Sequence, residues 1–243
     1  MQNDKSLFGR STATGRTQAA IAGSAVAALL AVAPTVMGAN LVINGSFEEP
    51  TTILPAFSGG FTTLAAGNTS INGWTVANES GFVNGVDWIE SFWTPQNGLR
   101  SLDLNGIGSP LAVGNGGISQ NVTLVAFQEY ELSFWMAGNL GNGAVEKFLT
   151  VSIDGETDNF EFLPNTIINT NSSLGWLKKT FIFTANSSGS TPLKFLDTTA
   201  NSGSWGSALD NVSLVAIPEP QVIISLIAVS GVLLIRRSQG AAL

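Results

Sequence analysis

The chain has 243 residues, carries a formal net charge of −7 and contains neither cysteine nor histidine. Without cysteine there are no disulfides, thiolate nucleophiles or cysteine-bound zinc. Without histidine there is no imidazole base, Ser-His-Asp triad or histidine-bound metal. The acidic balance also disfavours nucleic acid as a partner, because the phosphate backbone is itself negative.

The first residues have the pattern of a secretory signal peptide over 1–39. Three basic residues, the last of them Arg16, precede an uncharged alanine-rich stretch that ends in small residues at Ala39. A basic start, an apolar middle and small residues before the cleavage site are typical of such peptides. The sequence therefore predicts export by the general secretory route and a mature chain that starts near Asn40.

Residues 40–216 have the pattern of an all-β domain. Short runs rich in valine, isoleucine, phenylalanine and tryptophan are separated by glycine, asparagine, serine and proline, and no run has a helical period. The first strand is expected at 41–43, before a turn at Asn44 and Gly45. About ten such strands predict a single two-sheet β-sandwich domain.

The chain ends in a tail over 217–243 with three parts. These are a proline-acid-proline triplet, an apolar stretch and an arginine pair: Pro218, Glu219, Pro220, 222–235, Arg236 and Arg237. A helix over the apolar stretch would span roughly 21 Å, which is short for a bilayer core of ~30 Å. The arginines that follow it mark a cytoplasmic side.

In the order and spacing of its parts, this tail resembles the PEP-CTERM sorting signal of Gram-negative bacteria. The resemblance implies a transmembrane helix at 222–235, recognition by an exosortase that cuts near the Pro-Glu-Pro triplet, and a bacterium that makes exopolysaccharide. The protein would be held in the inner membrane only transiently before it reaches the cell surface or extracellular matrix. The alternative is an ordinary tail anchor.

The motifs NLVINGSFEEP, VDWI, GLRSLDLNG, GGISQNV, YELSFWMAGN, FIFTA and ALDNVSLV follow one another across 40–215. In this order they resemble the choice-of-anchor C domain, a family of bacterial surface proteins that often carry PEP-CTERM tails. The resemblance implies a galactose-binding-like jelly roll, related in pattern to carbohydrate-binding modules. It informs fold and location more than ligand, because the molecular activity of that family is not established.

The same resemblance implies a structural calcium ion. In the related sugar-binding modules, acids in the opening and closing strands help to hold Ca²⁺, and the matching positions are Glu48 and Asp210. Calcium takes six to eight oxygen ligands, so the carbonyls of the turn at 44–46 could add to the two carboxylates. The alternative is that both are edge carboxylates that accept hydrogen bonds from turn amides.

Carbohydrate binding would use aromatic faces for stacking and polar side chains for hydroxyl groups. The available aromatic residues are spread over the domain: Trp74, Trp88, Phe92, Trp93, Trp135, Trp176 and Trp205. Trp135 is the first candidate because it alternates with the apolar strand face that includes Phe134. Trp93 and Trp205 follow because they lie among small polar residues typical of exposed loops. The alternative is that all the tryptophans are packed in the core.

Paired carboxylates are the remaining route to catalysis, since a glycosidase needs two acids about 5–10 Å apart. Asp87, Glu90 and Asp103 are near one another in sequence, but nothing in the sequence marks two of them as a pair. We therefore expect a non-enzymatic surface or matrix protein, associated with exopolysaccharide or biofilm, that binds carbohydrate weakly or serves as a spacer. The alternatives are a glycan-active hydrolase and a protein-binding adhesin.

Overall fold

A computed structural model of the chain describes residues 38–77, 79–106, 115–141, 145–165, 167–200 and 203–218. Within those ranges, no helix has the length and apolar character needed to cross a membrane. All but the last two residues of the predicted signal peptide lie outside the described residues. The predicted sorting tail from Glu219 onward, with the apolar stretch at 222–235 and both arginines, lies outside them as well.

The described residues contain strands and turns but no helix. Their strands are β1 (Phe61–Leu64), β2 (Thr75–Val76), β3 (Gly85–Ile89), β4 (Ser101–Gly106), β5 (Gly117–Leu124), β6 (Glu129–Gly138), β7 (Lys147–Ile153), β8 (Glu156–Phe162), β9 (Leu177–Thr184), β10 (Gly189–Asp197) and β11 (Ser207–Ala216). One sheet has the order β1-β3-β4-β11-β6-β9, and the other has the order β2-β5-β10-β7-β8. Neighbouring strands are antiparallel. The predicted all-β sandwich of two sheets is thus confirmed.

The core lies between the two sheets, where the alternation of the sequence places it. Leu132, Phe134 and Met136 of β6 are fully buried, and so are Leu193 and Phe195 of β10. Phe134 meets Phe195 edge-on, with ring centroids 5.2 Å apart. Each such side chain contributes about 1.5–3 kcal/mol through burial alone. These facing positions hold the six-stranded and five-stranded sheets together.

The strand predicted at 41–43 is wrong, although the turn after it is confirmed. Ile43 donates its N–H to Gln120 Oε1 (2.7 Å) and accepts at its carbonyl from Gln120 Nε2 (2.8 Å). A side-chain amide therefore takes the place of the backbone partner that a neighbouring strand would supply. The turn closes where the Phe47 N–H donates to the Asn44 carbonyl (3.0 Å).

Two observed strands, β1 and β8, have no counterpart among the predicted runs. β8 is polar and largely exposed because it forms an edge of the five-stranded sheet. It pairs with β7 across a two-residue turn at Asp154 and Gly155, whose φ angles are 51° and 87°. Such positive angles are those of a type I′ hairpin turn, for which Asp-Gly is a favoured pair.

Loops cover the outer face of the six-stranded sheet at β3 and β4, so that these two strands are buried on both faces. The connection between them folds back over the strands, and Trp93 donates its indole N–H to Ser101 Oγ there (2.8 Å). The loop that precedes β11 covers the adjoining positions and donates a backbone N–H to Asp103. Polar residues that would otherwise meet solvent, such as Asp87 and Asp103, are therefore buried.

Candidate functional site

A cavity of about 110 Å³ lies on this covered face. Its lining combines aromatic, aliphatic and polar side chains: Phe61, Asp87, Ile89, Phe92, Asn139, Ser204 and Trp205. Trp205 is 40% exposed and Asp87 only 6%, so the cavity lining includes an exposed indole and a buried carboxyl group. Phe61 and Phe92 meet edge-on, with ring centroids 5.6 Å apart. Aromatic walls with a few polar groups are common in small-molecule sites.

Trp205 is held in place by a buried lysine and a glycine. The Lys147 side chain is buried, and its Nζ donates to the backbone carbonyl of Trp205 (2.7 Å). The indole lies so close to Gly141 that a Cβ there would collide with the indole nitrogen. Burial lowers the pKa of Lys147, and the Asp103 and Asp197 carboxylates oppose this shift. The position of the exposed ring thus depends on buried groups.

Asp87 supplies the carboxyl group of the cavity. It lies on β3 directly opposite Asp103 of β4, and Thr63 donates its hydroxyl to Asp87 Oδ1. Burial raises the pKa of Asp87, while the hydrogen bond from Thr63 acts in the opposite direction. The cavity therefore contains an acid that is largely removed from water yet accessible to a ligand.

Asp103 lies behind the cavity and is completely buried. Its Oδ1 accepts from the backbone N–H groups of Asn105 and Gly206, both at 3.0 Å, and its Oδ2 accepts from Asn139 Nδ2 at 2.7 Å. Burial raises the pKa of Asp103 to about 7, although these hydrogen bonds lower it. Repulsion from Asp87 also raises it, as a smaller contribution. Because Asn139 lines the cavity, Asp103 orients one of its walls.

The predicted calcium pair, Glu48 and Asp210, holds the connection between β3 and β4. Glu48 Oε1 accepts from the backbone N–H groups of Leu99 and Arg100, both at 2.8 Å. Asp210 Oδ2 accepts from the two backbone N–H groups at 96–97, at 2.8 and 2.9 Å. Burial raises the pKa of Asp210 to about 7, although these bonds lower it. This arrangement agrees with the alternative interpretation, in which the two carboxylates accept hydrogen bonds from turn amides.

A calcium ion does not fit this arrangement as it stands. Calcium needs six to eight oxygen ligands, but the Glu48 and Asp210 oxygens already accept backbone hydrogen bonds, and the Arg100 guanidinium lies 3.3 Å from Glu48 Oε2. Across the described ranges, no group of three or more acidic side chains is placed to hold a metal. Calcium binding itself stays a prediction, which the dependence of Tm on calcium and chelator checks.

The three predicted platform tryptophans occupy different environments. Trp205 lines the cavity, as described. The predicted exposure of Trp93 is wrong: it is 3% exposed, because its loop folds back over β4 and its N–H is bonded to Ser101. Trp135 is half-buried on the outer face of β6, opposite Asp210 of β11 and Lys178 of β9, but it does not line the cavity.

The acids considered for hydrolysis are placed in two groups. Asp87 and Asp103 are opposite each other on adjacent strands, a pairing that the sequence did not mark. Glu90 instead forms an ion pair with Arg100, at 3.3 Å. Of the strand pair, only Asp87 lines the cavity, and both oxygens of Asp103 are bonded inside the protein. The two acids therefore do not act from opposite sides of one open cleft.

A second depression, a more open groove of about 440 Å³, lies between the β3–β4 connection and 171–172. The two loops are joined by a hydrogen bond from the Thr94 N–H to the Asn171 carbonyl (2.9 Å). The charged side chain in the lining of the groove is that of Glu90, which forms an ion pair with Arg100. The groove thus lacks the combination of exposed ring and buried acid that distinguishes the Trp205 cavity.

Four cavity residues were not recognised as site candidates from the sequence: Phe61, Ile89, Asn139 and Ser204. Phe61 reaches the site because β1 pairs with β3 and places it opposite Ile89, and this pairing has no local signal. Asn139 follows β6 directly, so a polar residue at a strand end was the available hint. Phe92 was among the aromatic residues considered, and Asp87 among the acids.

The chain is 37% identical over 183 residues to halomucin of Haloquadratum walsbyi, an alignment that covers 74% of this chain but 2% of halomucin. The chain therefore corresponds to a small part of that relative. Among solved structures, the chain is similar to an arabinose-bound α-L-arabinofuranosidase, with a TM-score of 0.47 and 13% identity. That alignment covers 76% of this chain and 27% of the arabinofuranosidase chain. The chain is also similar to a family 61 carbohydrate-binding module in complex with β-1,4-galactotriose, with a TM-score of 0.40 and 19% identity, and that alignment covers 72% of this chain and 97% of the module.

One protein family accounts for the whole sandwich. Its model, described as a protein of unknown function, matches residues 40–215, a range that contains strands β1 to β10 and all but the last residue of β11. Because this match covers well over half of the chain, the chain belongs to the DUF642 family.

Proposed function

We propose that the sandwich domain binds carbohydrate in the Trp205 cavity and does not transform it. The observation that carries this proposal is the convergence of an exposed indole, two phenylalanines and a buried carboxyl group in one cavity. An aromatic ring packs against the apolar C–H face of a sugar, while a carboxylate accepts hydrogen bonds from its hydroxyl groups. Both kinds of contact are available within the same small space.

The absence of turnover is part of the proposal. Glycoside hydrolysis needs two carboxyl groups that act on one glycosidic bond, whereas Asp103 is sealed behind Asn139 and only Asp87 lines the cavity. A hydrolase is the second candidate, favoured by the direct pairing of these two acids. Product release from soluble glycans that is lost in Asp87→Asn would establish the hydrolase and overturn the binding-only proposal.

We also propose that the protein is exported, held briefly by its tail and then retained in the exopolysaccharide or biofilm layer. The PEP-CTERM resemblance of Pro218 to Arg237 and the choice-of-anchor C resemblance support this. The order of strands, β4-β11-β6-β9 against β5-β10-β7-β8, supports the jelly roll that the second resemblance implies. An exosortase-type enzyme would be the processing partner, and the inner membrane a temporary one.

The position of the cavity is consistent with such a tether. Trp205 lies two residues before the first residue of β11, whereas Pro218, the last described residue, lies two residues beyond the end of that strand. A ten-residue strand is roughly 33 Å long, so Trp205 and Pro218 lie at opposite ends of β11. A domain tethered by its tail would present the cavity away from the membrane.

Binding is tested with the full chain on a glycan array, followed by titration of the best ligand. Trp205→Ala is expected to weaken binding at least about tenfold, equivalent to about 1.4 kcal/mol, because large aromatic contacts dominate small interfaces. Trp135→Ala removes an equally large ring from the same sheet face but outside the cavity, and is expected to change the affinity far less. Equal losses in the two variants, or binding to no glycan, would contradict the assignment of the cavity.

The processing proposal has its own test. Mass spectrometry of the mature protein from its native host reports both ends of the chain. A start near Asn40 and a C-terminus near Pro218 are expected. A chain that still ends at Leu243 would rule out cleavage of the sorting tail, whatever the cavity binds.

A further inference from the structure

The polar side chains that line the cavity are those of Asp87, Asn139 and Ser204. The Asn139 side chain is engaged within the protein, since its Nδ2 donates to Asp103 (2.7 Å) and its Oδ1 accepts from the Gly141 N–H (2.9 Å). No lysine or arginine lines the cavity within the described part of the chain. Asp87 is therefore the charged group of this lining, and a ligand that pairs with its carboxylate must bring a hydrogen-bond donor.

One Asp87 oxygen is open. Thr63 donates to Oδ1, whereas Oδ2 accepts no side-chain or backbone hydrogen bond from the residues that the structure describes. The residue as a whole is nonetheless only 6% exposed. Oδ2 is not among the fully buried side-chain atoms of the described residues that lack a hydrogen-bond partner, so this oxygen is in contact with open space. Because Asp87 belongs to the cavity wall, a ligand in the cavity can donate a hydrogen bond to this oxygen.

The titratable groups around the cavity are mainly acidic. Asp103 lies opposite Asp87 across the β3–β4 pair, and Asp197 and Lys147 are both buried. Asp103 and Asp197 interact electrostatically with Lys147. One lysine therefore accompanies three buried aspartates, of which Asp103 is only partly ionised near neutral pH because burial raises its pKa to about 7. Lys147 itself is directed to the Trp205 carbonyl, so its charge does not reach the ligand through a direct contact with Asp87. A cationic donor would restore the balance of charge.

Aromatic rings around a carboxylate are suited to one chemical group in particular. The electron-rich faces of tryptophan and phenylalanine attract ammonium groups, and a carboxylate pairs with an ammonium group through charge-assisted hydrogen bonds. Phe61, Phe92 and Trp205 line a cavity whose volume of about 110 Å³ suits a small cationic group rather than a whole oligosaccharide. The rest of a glycan would lie outside, against the exposed part of Trp205.

We propose that the cavity binds a primary ammonium group paired with Asp87, and that the recognised glycan contains amino sugars with free amines. The inference rests on the proposed carbohydrate binding and names its substrate class. Uronic acids and sulfated sugars are excluded by the carboxylate, and N-acetylated sugars lack the charge that would pair with it.

The experiment compares two oligosaccharides that differ only in acetylation: a β-1,4-linked glucosamine hexamer and the matching N-acetylglucosamine hexamer. Titration into the full chain is expected to show at least about tenfold tighter binding of the amine form. Asp87→Asn is expected to remove most of that preference, because it lowers the affinity for the amine form far more than the affinity for the acetylated hexamer. Glu161→Gln removes the same charge from exposed β8 and is expected to leave the preference intact, which separates the site from general attraction to an acidic protein.

Each outcome decides one of the two proposals. If both hexamers bind equally, or the acetylated form binds more tightly, and Trp205→Ala still weakens binding, the ammonium inference fails and the carbohydrate site stands. If Glu161→Gln lowers the preference as much as Asp87→Asn, the attraction is non-specific and the inference also fails. If no oligosaccharide on the array or in the titration binds, the proposed function itself fails. The comparison of hexamers uses the unmodified chain, so it does not depend on the folding of any variant.

Discussion

On the outer face of the six-stranded sheet, the side chains of β3 and β4 are buried, and several of them are polar, whereas the outward positions of β7 and β8 on the other sheet are half-buried or exposed. Asp87 and Asp103 are covered by loops, while Thr150 and Asn159 share a hydrogen bond of 2.7 Å on an open face. Inward and outward residues alternate in both sheets. Among the described residues, the difference comes from the loops that fold back over β3 and β4.

Covering a polar face costs free energy unless each group finds a partner. On the six-stranded sheet these partners are the backbone N–H groups of the loops themselves, which bind Asp103 and Asp210. The acids therefore hold the loops, and the loop before β11 carries Trp205. The candidate site is therefore built from strand acids and loop amides together, so that a change in one displaces the other.

The largest expected effect on the covered face is a dependence on pH. Burial raises the pKa of Asp103 and of Asp210 from 3.8 to about 7, so between these values the folded chain binds more protons than the unfolded chain. The free energy of unfolding therefore falls as pH rises through this window. About three pKa units correspond to at most about 4 kcal/mol for each group. Urea unfolding at about pH 5 and about pH 8 measures the change.

The variants for this test separate the two faces. Asp103→Asn is expected to flatten the dependence on pH, whereas Glu161→Gln on exposed β8 is expected to leave it unchanged. Hydrogen bonds from Ser187 and the adjacent backbone lower the pKa of Asp154. Its contribution to the free energy of unfolding therefore rises with pH, but this rise occurs below pH 3.8. It lies outside the range from about pH 5 to about pH 8 that the test covers. Stability that rises from about pH 5 to about pH 8 would contradict the buried, protonatable state of these acids.

Removing the lysine behind Trp205 tests the support of the exposed ring. Lys147→Met is expected to lower the free energy of unfolding by about 3–5 kcal/mol, because it leaves buried acids without their cation. It also removes the donor to the Trp205 carbonyl, so glycan binding is expected to weaken. Lys178→Met, at an exposed position of β9, is the control and is expected to change stability by less than about 0.5 kcal/mol. Equal effects of the two changes would contradict the role of Lys147.

The second loop attachment is expected to be weaker. Asp210→Ala leaves the N–H groups at 96–97 without their acceptor. Both donors are part-buried or exposed, so each lost hydrogen bond is expected to cost about 0.5–1.5 kcal/mol. Faster amide hydrogen exchange at 96–97, with little change elsewhere, is the expected local sign. Glu161→Ala is the control on the open face. Unchanged exchange at 96–97 would show that Asp210 does not hold the loop.

Much of the fold could be predicted from the sequence because alternation is a local property. Leu132, Phe134 and Met136 alternate with polar neighbours, and their burial followed directly. β8 could not be predicted in the same way, since an edge strand needs few apolar residues, although its Asp-Gly turn was a usable signal. The segment at 41–43 has strand composition, but its partner is the Gln120 side chain, which no local pattern predicts.

The candidate site was less predictable because its residues are brought together by pairing and by loop paths. Trp205 was predicted from its polar surroundings, and its exposure agrees with that reasoning. The same reasoning failed for Trp93, because a loop with small polar residues can still fold back onto a sheet. Asp87 and Asp103 became neighbours only through the register of β3 and β4, and that register is set by contacts distant in sequence.

The smallest expected effect comes from removing one hydroxyl group from each face, and this pair of variants compares the two faces most directly. Ser101→Ala leaves the buried Trp93 N–H without its acceptor, with an expected cost of about 1–3 kcal/mol. Thr150→Ala removes a hydroxyl that lies on the open face, where water replaces the lost partner and the cost is expected to stay below about 0.5 kcal/mol. Chemical unfolding of both variants measures the difference. If Thr150→Ala were as destabilising as Ser101→Ala, loop coverage would not be what distinguishes the two faces.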